Sequence, residues 1–178
     1  MKQAADGVVN LRRERELAAG HWLLSTSSDM KQSRSDWRDK GATWLQPGVL
    51  FGAVMVPGRL VHGALGLAGP DACARPLAEH LEGGPLFCSP GVFGQEGSYT
   101  ALVSAPIAMS WRTRGSICHH YRAVILIPSP HLTEPEAERP WWAVPLEGPG
   151  VLCRAQPLSA LAIAGRRAAV RLGGGIYV

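Results

Sequence analysis

The chain has 178 residues, 46% of them apolar and 18% charged. That balance suits one domain with a real hydrophobic core and excludes a chain too polar to fold, while no stretch approaches the ~20 apolar residues of a membrane span. The net charge of +4 rests almost wholly on arginine, with lysine only at Lys2, Lys31 and Lys40, and a surplus of that size serves solubility before it argues for an acidic partner.

The first twenty residues predict a short charged helix. Leu11-Arg12-Arg13-Glu14-Arg15-Glu16-Leu17 mixes both signs, as a solvated face does, and Gly20 is placed to stop the helix. His21-Trp22-Leu23-Leu24 reads as a first short strand, and residues 25–35 as a polar loop. Ser35-Asp36-Trp37-Arg38 offers a cap and an acidic first turn for a helix ending near Lys40. Residues 1–36 are thus read as a charged helix and loop, 37–172 as one globular domain, and 173–178 as a glycine-rich tail.

The middle of the chain is more regular. Residues 49–56 are rich in β-branched side chains and bounded by Pro47-Gly48 and Pro57-Gly58, so a strand is expected. Leu60, Val61, Ala64 and Leu65 follow at helical spacing. Asp71 can cap a second helix reaching Leu81, with Pro76 bending or delaying it and Gly83-Gly84 closing it. Residues 85–88 and 99–105 read as a hairpin around the glycine-rich loop Gly94-Gln95-Glu96-Gly97-Ser98. Residues 123–127 are almost purely apolar, which predicts a strand buried on both faces.

Residues 131–140 form an acidic, proline-rich loop, and residues 141–144 a brief strand or aromatic corner. Leu158, Leu161, Gly165, Ala168 and Leu172 then recur at spacings of four or three, so the last helix buries one face. Arg166, Arg167 and Arg171 sit toward its negative end, and Gly173-Gly174-Gly175 ends it. The elements alternate irregularly. The expected fold is α/β or α+β, a single-layer mixed sheet with helices packed on it.

Several constellations carry chemistry. Cys118-His119-His120 combines a thiol with imidazoles, the ligand types of Zn²⁺, but on a strand only Cys118 and His120 would share a face. Cys88 or Cys153 would have to complete such a set, and the expectation is no metal. The four cysteines, Cys73, Cys88, Cys118 and Cys153, form no Cys-x-x-Cys pair. The start Met-Lys-Gln-Ala-Ala-Asp lacks an apolar run. Reduced, buried thiols in a cytoplasmic protein are therefore expected. A cysteine hydrolase would need Cys118 or Cys88 beside one of the histidines, and no spacing selects a pair. Trp111-Arg112-Thr113-Arg114 and Tyr121-Arg122 interleave arginines with aromatic rings. In that arrangement Arg112, Arg114 and Arg122 would contact phosphates, and Trp111 or Tyr121 would stack on a base.

The order of elements over residues 37–172 resembles the bifunctional DNA primase/polymerase-like domains of small actinobacterial proteins. Trp37 or Trp44 leads to Pro47-Gly48-Val49-Leu50-Phe51 and a strand ending Val56-Pro57. A helix with Leu60 and Leu65 follows, then Gly83-Gly84-Pro85-Leu86, then residues 99–105 running into Pro106. Residues 124–130, Trp141-Trp142 and the last helix resemble the family's ending. Working members of the family use acidic residues to hold two metal ions that neutralise charge on the attacking and leaving oxygens. The first of those acids would follow Phe51, where this chain has Gly52 and Ala53, and no aspartate occurs after Asp71. The resemblance therefore implies a degenerate member that binds or regulates, without metal or other cofactor, with single-stranded DNA or a protein as partner. The alternatives are an accessory protein of an actinomycete plasmid or other mobile element, and a metal- or cysteine-dependent hydrolase. The arginine excess, the richness in Ala, Gly and Pro and the single Asn10 suit the GC-rich genome of the first. It would act through protein contacts, with Trp141 and Trp142 exposed in their proline-rich setting as the contact.

Overall fold

A computed structural model describes residues 2–91, 96–171 and 173, with residues 2–10 as backbone alone. Gly94 and Gln95 of the hairpin loop named above lie outside the described residues, as do Leu172 and the glycine-rich tail beyond Gly173.

The fold is α+β. Six α-helices and seven strands are seen among the described residues, in the order α1 (Lys2–Leu24), α2 (Met30–Lys40), β1 (Ala42–Leu45), β2 (Gly52–Pro57), α3 (Gly58–Leu65), α4 (Ala74–His80), β3 (Leu86–Ser89), β4 (Ser98–Val103), α5 (Ala105–Ser110), β5 (Ile117–His119), β6 (Ile125–Pro128), β7 (Trp141–Val144) and α6 (Ala155–Arg171). A five-stranded sheet runs β5-β2-β4-β3-β7, and β1 and β6 form a separate two-stranded sheet. Every strand pair is antiparallel, with one parallel bridge between Val103 and Cys153. The expected single mixed sheet is thus corrected to two antiparallel ones. The reason is connectivity: a parallel neighbour needs a crossover, and β3 and β4 are instead joined as a hairpin.

Period-2 alternation makes two cores from one sheet. Val54 and Val56, Tyr99, Ala101 and Val103, Leu86 and Cys88, and Trp141 and Ala143 share one core with Leu60, Leu77, Leu158 and Leu161 of α3, α4 and α6. Their neighbours Ala53, Leu102, Phe87 and Trp142 enter a second core with Leu23 of α1, Trp37 of α2, Leu45 of β1 and Ile127 of β6. The sheet is covered on both faces, so even its edge strand β7 is buried throughout.

Several local expectations change for identifiable reasons. Gly20 does not end α1, and His21-Trp22-Leu23-Leu24 is its last turn, with Leu23 and Leu24 buried. A four-residue apolar run carries no period by which to separate strand from helix. Asp29 caps α2, six residues before the expected cap: its Oδ1 accepts from the Gln32 amide at 3.0 Å. Gly41 ends that helix at φ 76, in the left-handed region. Asp71 lies in a 3-10 turn, Pro70–Ala72, ahead of α4. The strand from residue 125 is not doubly buried: it pairs only with β1, and Val124 before it is 60% exposed.

Helices α3 and α6 approach backbone to backbone. A Cβ on Gly165 would lie 2.1 Å from the Leu60 carbonyl oxygen, so α6 is seated through an absence of side chain. No helix among the described residues is long and apolar enough to cross a membrane.

Candidate nucleic-acid interface

The sequence-predicted residues Trp111, Arg112 and Arg114 lie in the loop that carries the chain from α5 to the edge strand β5. Pro106 lies in the first turn of α5, which its missing N–H and fixed φ suit. The helix passes over β2, and the chain then turns back to pair Ile117, Cys118 and His119 with Met55, Val54 and Ala53. The turn is braced from inside. The Trp111 indole N–H donates to Ser116 Oγ at 2.9 Å, and Ser116 Oγ donates to the Thr113 carbonyl at 2.7 Å. Thr113 Oγ1 and Ser159 Oγ of α6 share a hydrogen bond of 2.9 Å.

These braces hold the loop against α6 and leave a recess of about 540 Å³, lined by Trp111, Arg112, Thr113, Arg114, Cys118 and Arg166, with Gly115 and Ser116. Three arginines therefore line one space, and no carboxylate lines it. Arg112 Nη1 donates to the carbonyls of Met109 at 3.1 Å and Trp111 at 2.7 Å, which fixes its head at the end of α5. Among the described residues Arg114 and Arg166 make neither an ion pair nor a side-chain hydrogen bond. By contrast Arg12, Arg15, Arg38, Arg59, Arg75, Arg139 and Arg154 each meet a carboxylate. Planar forks with open donors match phosphate oxygens two at a time.

Arg166 was not among the sequence-predicted contacts. The signal for it is charge distribution: residues 97–133 and 148–178 contain no Asp or Glu. The recess forms where these two acid-free segments meet. That they meet is a tertiary fact, made by the α3–α6 packing and the Thr113–Ser159 bond.

The other predicted residues are placed elsewhere. Tyr121 is 71% exposed and borders a shallow depression with residues 46–50. Arg122 is exposed in the same turn, with φ 69. Neither lines the arginine recess. Trp111 is half-buried and packed on the core with its N–H engaged, so it forms a wall and is not free to swing onto a base. Trp141 and Trp142 are corrected outright: each is 1% exposed. As neighbours on β7 they enter opposite cores, where Trp142 meets Phe87 edge-on at 5.4 Å between centroids and donates its indole N–H to the Pro128 carbonyl. Proline-rich flanks suggested an exposed corner, but a strand between two cores has no exposed face.

The strand position after Phe51 is packed shut. A Cβ on Gly52 would lie 2.2 Å from Ala108 Cβ, so α5 rests directly on that strand position. Ala53 is fully buried in the second core. These residues do not fit a divalent ion, which needs several oxygen donors. No three His, Cys, Asp or Glu side chains converge among the described residues. Cys118 donates its thiol to the Ala108 carbonyl at 3.3 Å.

Burial pushes the Cys118 thiol up, with Arg112 pulling the other way, and burial pushes Cys88 up to about 11 and Cys153 up to about 12. Thiols held protonated are poor nucleophiles. A larger cavity of about 820 Å³ lies over His62 and Tyr99, whose Nε2 and hydroxyl are 3.0 Å apart, with the Arg59–Glu96 ion pair among its lining residues. There too burial lowers His62 and raises Tyr99, so both groups are held neutral.

Comparison with protein-family models, with curated proteins and with solved structures gives no match for this chain.

Proposed function

We propose that this chain is a nucleic-acid-binding module that recognises phosphate without transforming it. The observation that carries the reading is the convergence of Arg112, Arg114 and Arg166 on one recess that no carboxylate lines. The sequence resemblance to primase/polymerase-like domains fits it as a binding or regulatory derivative whose metal centre is gone, and the closure of Gly52 by Ala108 supports that loss. The braced loop presents its arginines without first having to be ordered, so little conformational entropy opposes binding. A single strand is the form expected, as the resemblance to primase/polymerase-like domains implies.

The test is an anisotropy titration of a labelled single-stranded oligodeoxynucleotide over a range of salt concentrations. Three phosphate contacts on a single strand give a log–log slope of about −2. Absence of binding at low salt, or an affinity that does not respond to salt, would remove the proposal. Trp141 and Trp142 offer no contact surface, since both rings are interior.

A further inference from the structure

A second recess, of about 370 Å³, opens where α1 crosses α2 beside the end of β6. It shares no residue with the arginine recess above. Its floor is apolar: Leu24, Gly20, Trp37 and Pro130 are all buried. The Trp37 indole N–H is turned inward, donating to the Ile127 carbonyl at 3.0 Å, so the ring offers the recess only carbon. Leu17 adds a wall and is 56% exposed.

The rim has the opposite character. Arg13 and His21 come from α1, Arg34 from α2 and His131 from the segment after β6. Among the described residues neither Arg13 nor Arg34 makes an ion pair or a side-chain hydrogen bond. His131 has Nδ1 engaged by Ser129 Oγ at 2.8 Å, which fixes the ring and leaves Nε2 for a ligand. The acid at the rim, Glu16, is already held by Arg12 at 2.9 Å. Basic groups from three separate segments thus ring an apolar floor.

Gly20 keeps that floor open. It lies in the last third of a long helix, where glycine costs about 0.5–1 kcal/mol against alanine. Packing does not require it: a Cβ there would lie 3.5 Å from Trp37 Cζ3 and 3.7 Å from Pro130 Cγ, both ordinary contacts. The missing side chain leaves space between Trp37 and Pro130. The volume falls at the small end of ligand cavities.

We infer that this recess binds a small organic anion with an apolar body, its carboxylate or phosphate held by Arg13 and Arg34 and its hydrocarbon laid on Leu17, Leu24 and Trp37. The two halves of the site need each other. A bare anion gains nothing from the floor, and a neutral hydrocarbon leaves the guanidinium groups unanswered.

Calorimetry on the full chain, with octanoate as the probe and octanol and inorganic phosphate as comparisons, tests this directly. Octanoate is expected to bind, with the alcohol and phosphate each much weaker. Arg34→Gln, a surface change, is expected to weaken octanoate about tenfold. Gly20→Leu, which fills the recess, is expected to abolish binding while the helical circular dichroism persists. The inference is overturned if octanoate does not bind, if octanol or phosphate equals it, or if both variants bind as the parent does. It is overturned equally if a single-stranded oligonucleotide displaces octanoate, since the recess would then be part of the nucleic-acid surface. Loss of oligonucleotide binding in Arg114→Gln bears only on the other recess and leaves this result unaffected.

Discussion

The stem of Arg166 lies directly over Gly115. A Cβ at residue 115 would come 2.6 Å from Arg166 Cδ and 2.8 Å from Cγ, and the backbone there has φ 84. Gly115 thereby does two things: it makes the left-handed turn back toward β5, and it lets the guanidinium of α6 reach the loop arginines. Gly115→Ala is expected to strain the turn by about 1–2 kcal/mol and to displace Arg166. Thermal denaturation should show a modest loss, and oligonucleotide affinity a larger one. A destabilised variant with parental affinity would separate this glycine from the site.

Placing an acid after Phe51 should not create a metal site. Gly52→Asp must displace Ala108 and bury a carboxylate, which is expected to cost about 3 kcal/mol or more. The melting temperature should fall and should not recover with magnesium or manganese. Recovery by either ion would show that α5 can lift away and admit a metal.

Acid should weaken the fold from just below neutral pH. Burial holds His62 and His119 below the ordinary histidine value of 6.5, with Glu96 partly opposing the effect at His62. Below that value the unfolded chain takes up protons that the folded chain resists. Their contribution is complete above pH 6.5 and is lost as pH falls through the lowered folded values. Asp36 and Asp39, held low by hydrogen bonds led by those from Lys40 and Ser35, add acid sensitivity only further down. Melting temperature is therefore expected to drop between pH 7 and 5, and the double variant His62→Gln, His119→Gln to flatten that drop. A profile unchanged by the double variant would place the sensitivity elsewhere.

Thiol chemistry should single out one cysteine. Cys73, Cys88 and Cys153 are buried and Cys118 is partly accessible. Native protein treated with an alkylating reagent near pH 8 should be labelled first at Cys118, slowly, because burial raises its pKa. Peptide mapping that finds Cys88 labelled first would contradict the packing around β3.

What the sequence discloses here follows from the range of the interactions involved. The spacing of Leu158, Leu161 and Gly165 marks the buried face of α6, and Tyr99, Ala101 and Val103 alternate as a strand between two layers should. Local patterns carry such facts. The placement of Trp141 and Trp142 does not show locally, since the same two residues read as exposed until both sheet faces are known to be covered. Helix α5 was hidden because Pro106 ends a strand as readily as it begins a helix. Arg112 and Arg114 could be picked out because an aromatic ring stands beside them in the chain. Arg166 is more than fifty residues further along, and only the glycine-mediated approach of α6 brings it to them. The Gly52–Ala108 contact is of the same kind: the glycine after Phe51 is legible, while the helix packed against it is not.

The three arginines are proposed to contact phosphate together, and the salt dependence of the double variant Arg114→Gln, Arg166→Gln measures this most directly. Each lost phosphate contact on a single strand should flatten the log–log slope by about 0.7, so the variant is predicted to lose about 1.4 of the parental slope along with affinity. A variant that binds with the parent's slope would show that the strand, if it binds, lies somewhere else on the molecule.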